Sequence, residues 1–228
     1  MVGVKACLIT GSLLPWTGGP VRSVAAFQRA LDADVVSFTD ERYVGDDALP
    51  ANRSRRVNVP SIPIPCARHF LVPTLAGLRN AYRLVADADL VSCHSFYLFH
   101  PLWLAALNLP KRPPYWFVPH GILDPVVTYR QRLLKNGYRI AARRLLANAS
   151  ATIFSTARER DKAVQTCCVA NPVVIHWPVD GYPMAARHLA RRQLRNSLRV
   201  PEDTRILIAV GRLDHLKRPL EMIRIFAA

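Results

Sequence analysis

The chain has little of what commits a polypeptide to secretion, membrane insertion or disulfide stapling. Its five cysteines, Cys7, Cys66, Cys93, Cys167 and Cys168, are an odd number without Cys-x-x-Cys spacing. That argues against a clustered zinc site and against a disulfide framework. No apolar run approaches the ~18–20 residues of a membrane span, and the longest stretch, 96–109, is broken by His100 and Pro101. Residues 1–10 lack a basic leader and a cleavage site, and there are no internal repeats. A reduced, cytoplasmic protein is expected. Acidic residues are also scarce, 16 Asp+Glu against 31 Lys+Arg, for a net charge of +15. Such an excess attracts phosphates of nucleic acid, anionic lipid or a nucleotide-linked substrate, and does not choose among them.

What is present is ordinary globular material: 228 residues, half of them hydrophobic, enough to bury a core without staples. Residues 4–10 form a nearly continuous apolar run, as in a parallel strand covered on both faces. Gly18-Gly19-Pro20 follows, then helical spacing over 21–31. Strands are expected at 34–38, 88–94, 114–119, 151–155 and 173–175, with helices at 75–85, 98–107, 128–147 and 156–168. Residues 40–73, rich in Pro, Arg and Asn, read as irregular apart from an extended stretch at 57–64. This alternation implies a doubly wound parallel sheet. After it come an Arg-rich helix at 185–198, a fresh buried strand at 205–210 and a helix from 219. A domain at 1–178 and the truncated start of a second at 179–228 are expected.

Four stretches carry a family resemblance: Gly18-Gly19-Pro20-Val21-Arg22-Ser23-Val24, Pro119-His120-Gly121-Ile122-Leu123-Asp124-Pro125, Ile175-His176-Trp177-Pro178-Val179-Asp180, and Val210-Gly211-Arg212-Leu213-Asp214 followed by Lys217. In this order and spacing the chain resembles the N-terminal portion of a family 4 glycosyltransferase of GT-B fold. The resemblance implies two facing Rossmann-like domains. Residues 1–178 would be the acceptor side, and 179–228 the linker helix and first strand and helix of the nucleotide-sugar side. It implies retaining transfer of a sugar from a nucleotide-sugar to a polysaccharide or lipid-linked acceptor. The family's Glu-x7-Glu motif and most of its nucleotide pocket would lie beyond Ala228. Little turnover is then expected of this chain by itself, and the alternative is a non-catalytic acceptor-binding half that needs a separate donor-domain subunit.

Each motif also has its own physics. Gly18 and Gly19 permit a sharp turn ahead of a helix N-terminus, which favours an anion; the plainer reading is a strand–helix connection. His120 follows the carboxyl end of a strand, where open α/β sheets hold ligands, and is the first catalytic candidate; a turn-capping histidine is the alternative. Arg212 and Lys217 are suited to the charge that grows on a departing diphosphate, although Arg218 stands where the family carries glycine. Arg22, His94 and Asp124 are acceptor-side candidates, with Asp124 also suited to shaping its loop. The triplets Asp32-Ala33-Asp34 and Asp87-Ala88-Asp89 read as solubilising turns, so no metal or other cofactor is expected.

The basic helix carries Arg130, Arg132, Lys135, Arg139 and Arg143. Its Lys135–Arg139–Arg143 stripe reads either as a grip on an anionic membrane surface, with the protein peripheral on the inner face, or as a solvated outer face. Arg187–Arg191–Arg195–Arg199 reads as the surface of a linker helix. No nucleic-acid motif is present and no aromatic residues interleave the basic stripes, so nucleic acid is not an expected partner.

Overall fold

The computed structural model describes residues 4–14, 19–40, 55–64, 67–107, 113–128, 132–177, 183–211 and 218–227. Contacts divide the chain into two units, Met1–Pro178 and Val179–Ala228. The first unit is a mostly parallel sheet of β1 (Ala6–Thr10), β2 (Asp34–Asp40), β3 (Arg56–Ile64), β4 (Ala67–Pro73), β5 (Leu90–His94), β6 (Tyr115–Val118), β7 (Ala151–Phe154) and β8 (Pro172–Val174). Its helices are α1 (Gly19–Leu31), α2 (Leu75–Ala86), α3 (Phe99–Ala106), α4 (Pro125–Thr128), α5 (Arg132–Ala141), α6 (Arg143–Ala147) and α7 (Ala157–Thr166). The strand order β4-β3-β2-β1-β5-β6-β7-β8 runs outward from β1 in one direction, then from β5 in the other. The β1/β5 junction is therefore the switch point of a doubly wound sheet, where a crevice opens beyond the strand ends.

Alternation along β1 builds both cores. Cys7 and Ile9 join the larger cluster with Phe38, Phe96, Phe117 and Phe154, while Ala6 and Leu8 pack with Val21, Val24 and Ala25 of α1. A strand buried on both faces needs an unbroken apolar run, because successive side chains point to opposite faces. Cys7 and Cys93 are buried free thiols within these layers.

Three expectations are corrected. First, 67–73 is not irregular: β4 pairs antiparallel with β3, with a register shift at Pro63/Ile64. Pro73 ends the edge strand β4 and Pro63 stands at the register shift, two places where a missing N–H donor is tolerated. Second, the helix expected at 128–147 is interrupted. Ala142 breaks the run at φ −90°, ψ 3°, and α6 turns to bury Leu145 and Leu146, whose direction is held by the Tyr115 hydroxyl donating to the Leu145 carbonyl at 2.6 Å. Third, the Lys135–Arg139–Arg143 stripe is divided: Arg143 is exposed, but Lys135 and Arg139 are half-buried. Lys135 Nζ donates to the Val127 carbonyl at 2.5 Å and Arg139 donates to the Thr166 carbonyl. Both satisfy carbonyls of the fold itself, and the apolar side of α5 is left facing outward. Arg130 lies outside the described residues.

The second unit contains α8 (Met184–Leu198) and α9 (Pro219–Ala227). Arg195 turns inward from its stripe and clamps the turn beyond α8, donating to the carbonyls of Pro201 at 2.5 Å and Thr204 at 2.8 Å. Residues 205–210 were expected to form a buried strand. Instead they pair with no strand among the described residues, and Leu207, Ile208 and Val210 are exposed. An extended segment has no ladder to join unless another strand lies beside it.

Two glycines give a test of the packing. A Cβ on Gly77 of α2 would stand 2.8 Å from Val59 Cγ1, in a side chain of β3 that is fully buried and cannot yield. Gly77→Ala is expected to destabilise the protein by about 1–2 kcal/mol, overpacking outweighing the ~1 kcal/mol gain in helix propensity. Gly137→Ala, where nothing lies within 4 Å, is expected to stabilise by up to ~1 kcal/mol. Chemical denaturation of both variants checks the opposite signs; a stabilising Gly77→Ala contradicts the close approach of α2 to β3.

Candidate active site

Beyond the carboxyl ends of β5 and β6 two histidine rings meet. The register pairs His94 with Val118, and the ladder continues one step further with Ser95 N–H donating to the Val118 carbonyl at 2.8 Å. The chain leaving β6 then turns through two left-handed residues, His120 (φ 55°) and Gly121 (φ 77°). Glycine adopts that region freely, whereas histidine does so at a cost of about 1–2 kcal/mol. Ser95 and Tyr97, after β5, are left-handed too. Backbone strain of this kind concentrates at functional sites. Here it brings His120 over His94, ring centroids 5.2 Å apart, with His94 Nδ1 3.0 Å from His120 Nε2.

Ser92 lies two residues before His94 on the same face of β5, so its hydroxyl reaches His94 Nε2 at 3.1 Å. His100, the second residue of α3, bonds through Nε2 to the His94 carbonyl at 2.6 Å. Burial holds His94 well below the ordinary imidazole value, and the neighbouring His120 and His100 add to the shift. Burial likewise pushes His100 and His120 down to about 4. Neutral rings leave two complementary arrangements. In one, Ser92 O–H donates to His94 Nε2 and His94 Nδ1–H donates to His120 Nε2, which leaves His120 Nδ1–H as a donor. In the other both protons are shifted, and His120 Nδ1 is an acceptor.

His120 lines a cleft of about 430 Å³ with Gly19, Pro20 and Ser23 from the start of α1, and Ser155, Thr156, Arg158 and Glu159 from the start of α7. The N-terminal N–H groups of both helices flank it, an environment that favours negative charge. Trp177 closes one side, its ring 5.6 Å from both His120 and Phe27, and Phe27 stands edge-on to His94. Glu159 braces the floor: one carboxylate oxygen accepts the Gly121 N–H at 2.6 Å, the other the Ser155 N–H and hydroxyl at 3.0 and 2.7 Å. Asp124 pairs with Lys162 at 2.7 Å and accepts the Val126 N–H. Partial burial raises its carboxyl, but these partners outweigh that and hold it below the usual range.

The residues singled out by sequence therefore separate. Gly19, His120 and Asp124 lie on one cleft, and Arg22 is exposed on α1 nearby in sequence. His94, expected to face the acceptor, is fully buried and reaches the cleft only through His120. Gly18, Arg212 and Lys217 lie outside the described residues. The Asp triplets are at the amino ends of the strands, where Asp34 takes Arg55 at 2.6 Å and Asp87 takes Arg55 and Lys5, each at 3.3 Å. They close the opposite edge of the sheet rather than acting in the cleft. Among the described residues no group of three His, Cys, Asp or Glu is placed to hold a metal ion. Sequence reasoning passed over Glu159, Ser92 and Arg158. The one local signal was Thr156-x-x-Glu159, a helix-start pattern in which Thr156 caps α7.

The neutral histidines set a pH dependence. An unfolded histidine takes up a proton near pH 6.5, whereas the folded rings resist it down to about 4, so the unfolded state binds more protons between these values. Stability is full above about pH 6.5 and falls with acidification, by up to ~1.4 kcal/mol per pH unit for each ring held neutral, and by less for His120, which is not fully buried. Denaturant midpoints measured at about pH 7.5 and 5 are expected to drop, with a smaller drop for His100→Gln. Equal midpoints contradict the account.

Residues 18–176, most of the chain, match the glycosyl transferase 4-like domain family. No curated protein matches in sequence. Among solved structures, sucrose-phosphate synthase from Thermosynechococcus elongatus is similar over 92% of this chain and 56% of its own, with 17% identity and a TM-score of 0.60. Anabaena HepE, solved in complex with UDP and glucose, is similar over 86% of this chain and 50% of its own, with 18% identity and a TM-score of 0.53. The chain thus spans about half the length of these structures, and at such identities the likeness is one of fold. With the doubly wound sheet and its switch-point cleft, the match establishes that the chain belongs to the glycosyl transferase 4-like family, on the GT-B type of fold.

Proposed function

We propose that the cleft at His120 is the acceptor-side half of a retaining sugar-transfer site. An acceptor hydroxyl, on a polysaccharide or lipid-linked glycan, attacks the anomeric carbon of a nucleotide-sugar as the bond to the diphosphate breaks. The observation that carries this reading is the His94–His120 contact at the switch point, 3.0 Å long and backed by Ser92. It presents one unpaired imidazole nitrogen, in a held orientation, between two helix N-termini. His120 Nδ1 donates to the sugar or the leaving phosphate in the arrangement where His94 is the proton donor. Gly19 leaves open space beside the first turn of α1 for the ligand. Arg212 and Lys217 are assigned to the diphosphate, with Gly18 beside it, and Arg22 and Asp124 to the acceptor. The reading assigns no metal, because these cations meet the developing charge. HepE, solved with UDP and glucose, supports a nucleotide-sugar as co-substrate.

The exposed Leu207, Ile208, Val210, Ile225 and Phe226 of the second unit support a second reading, an acceptor-binding half completed by a separate donor-side subunit.

With the donor side supplied, His120→Ala is expected to slow transfer of radiolabelled sugar from nucleotide-sugars to a lipid or glycan extract by about 10²-fold, the usual loss for one preorganised group at the reacting centre. With the isolated chain, nucleotide-sugars or glycans are expected to shift the His120 and Trp177 resonances, and His120→Ala to weaken binding. Transfer unaffected by His120→Ala, or a cleft whose resonances respond to no such ligand, contradicts the proposal.

A further inference from the structure

The orientation of α5 is the reverse of what a soluble amphipathic helix adopts. Three polar contacts fix its inner side: the Tyr138 hydroxyl donates to the Leu98 carbonyl at 2.5 Å, Lys135 to Val127, and Arg139 to Thr166. The helix cannot roll to bury its apolar side chains without breaking all three. Leu133, Leu134 and Ile140 consequently stand outward at 88%, 74% and 70% exposure. Leu133, Gly137 and Ile140 share one stripe by helical spacing, and neither Asn136 nor Ala141 beside it is charged. Exposed Arg143 and Arg144 follow directly after the stripe. Between Asp124 and Glu159 the sequence holds seven basic residues and no acidic one.

We propose that this outward face of α5 docks on an anionic lipid bilayer, with Leu133, Leu134 and Ile140 entering the headgroup–acyl boundary and Arg143 and Arg144 meeting lipid phosphates. The charge pattern selects this occupant. A second copy of the chain would set one all-basic rim against another, and a nucleic acid backbone offers no apolar medium for outward leucine and isoleucine. A bilayer supplies both the anionic plane and the apolar layer beneath it. Among the described residues no helix is long and apolar enough to cross a membrane, so the contact is interfacial. It employs α5 in a way different from the Lys135–Arg139 grip read from sequence, since those two cations are engaged within the fold. The proposal does not depend on sugar transfer, and its test contains no sugar.

The full chain is floated with phosphatidylcholine vesicles, with and without about one third phosphatidylglycerol. Binding is expected to the anionic vesicles and to be weak to the neutral ones. Leu133→Gln with Ile140→Gln is expected to lower it about tenfold or more, and Arg143→Gln with Arg144→Gln to lower it as well. These side chains are exposed, and circular dichroism melts confirm that the variants fold. As a second measurement, Leu133→Trp is expected to shift its fluorescence to the blue only with anionic vesicles. The proposal is overturned if the wild-type chain stays unbound, if the Leu133/Ile140 variant binds as well as wild type, or if the Trp emission does not move. It is equally overturned if the apolar substitutions dissolve a dimer, or release an acidic protein, while leaving lipid binding intact.

Discussion

The hydrogen bond between His94 and His120 ties together the ends of two neighbouring parallel strands, and the geometry of the cleft follows from it. His94 cannot move, because it is fully buried, its ring bonded to Ser92 and its carbonyl to His100. His120 must then adopt a left-handed backbone to bring its ring over His94, and Gly121 must continue the turn so that its N–H reaches Glu159. Glu159 in turn ties this loop to Ser155, at the start of α7. A single fixed ring thus propagates into the position of a loop and the junction of a helix. Sites built this way lose little free energy to reorganisation when a ligand arrives.

The sheet places these parts by its topology. Because the winding reverses at β1/β5, the connections that leave the two strands diverge, and the Gly19 turn, His94 and His120 gather beside one crevice. The opposite edge is closed by ions: Arg55 bridges Asp34 and Asp87, and Lys5 joins the second of these. Those pairs are largely exposed, so their net contribution is small, and they help to pair strand starts that are distant in sequence. The two carboxylates on the cleft itself are both engaged, Glu159 by the Gly121 and Ser155 N–H groups and Asp124 by Lys162, beside Arg158 and the two helix N-termini.

How much was legible in the sequence follows from how local each determinant is. The apolar run of β1 and the motif around His120 are readable because strand burial and a strand-end turn leave patterns a few residues long. The partner of His120 was not. His94 was visible as a histidine ending a strand, but whether it faces the cleft or the interior depends on the register of β5 against β6, which no local pattern reports. Glu159 was hidden for the same reason, since it serves a turn 38 residues away. β4 was missed because the prolines around it, Pro60 and Pro63 in β3 and Pro73 at its own end, carry the signature of a loop. The outward face of α5 was missed because hydrophobic periodicity reveals that a helix has two sides, while Tyr138, Lys135 and Arg139, through partners elsewhere in the chain, decide which side turns in. For 205–210 the composition of a buried strand is present, but burial is a property of neighbours.

The central claim, that His94 and His120 form one neutral hydrogen-bonded unit, is tested most directly by ¹⁵N NMR of the imidazole rings between about pH 5.5 and 7.5, across the ordinary titration of a free histidine. The account predicts that both rings stay neutral throughout, share one N–H···N proton, and change together when His94 is replaced by Gln. A His120 that titrates near the free value, with no coupling to His94, would contradict it.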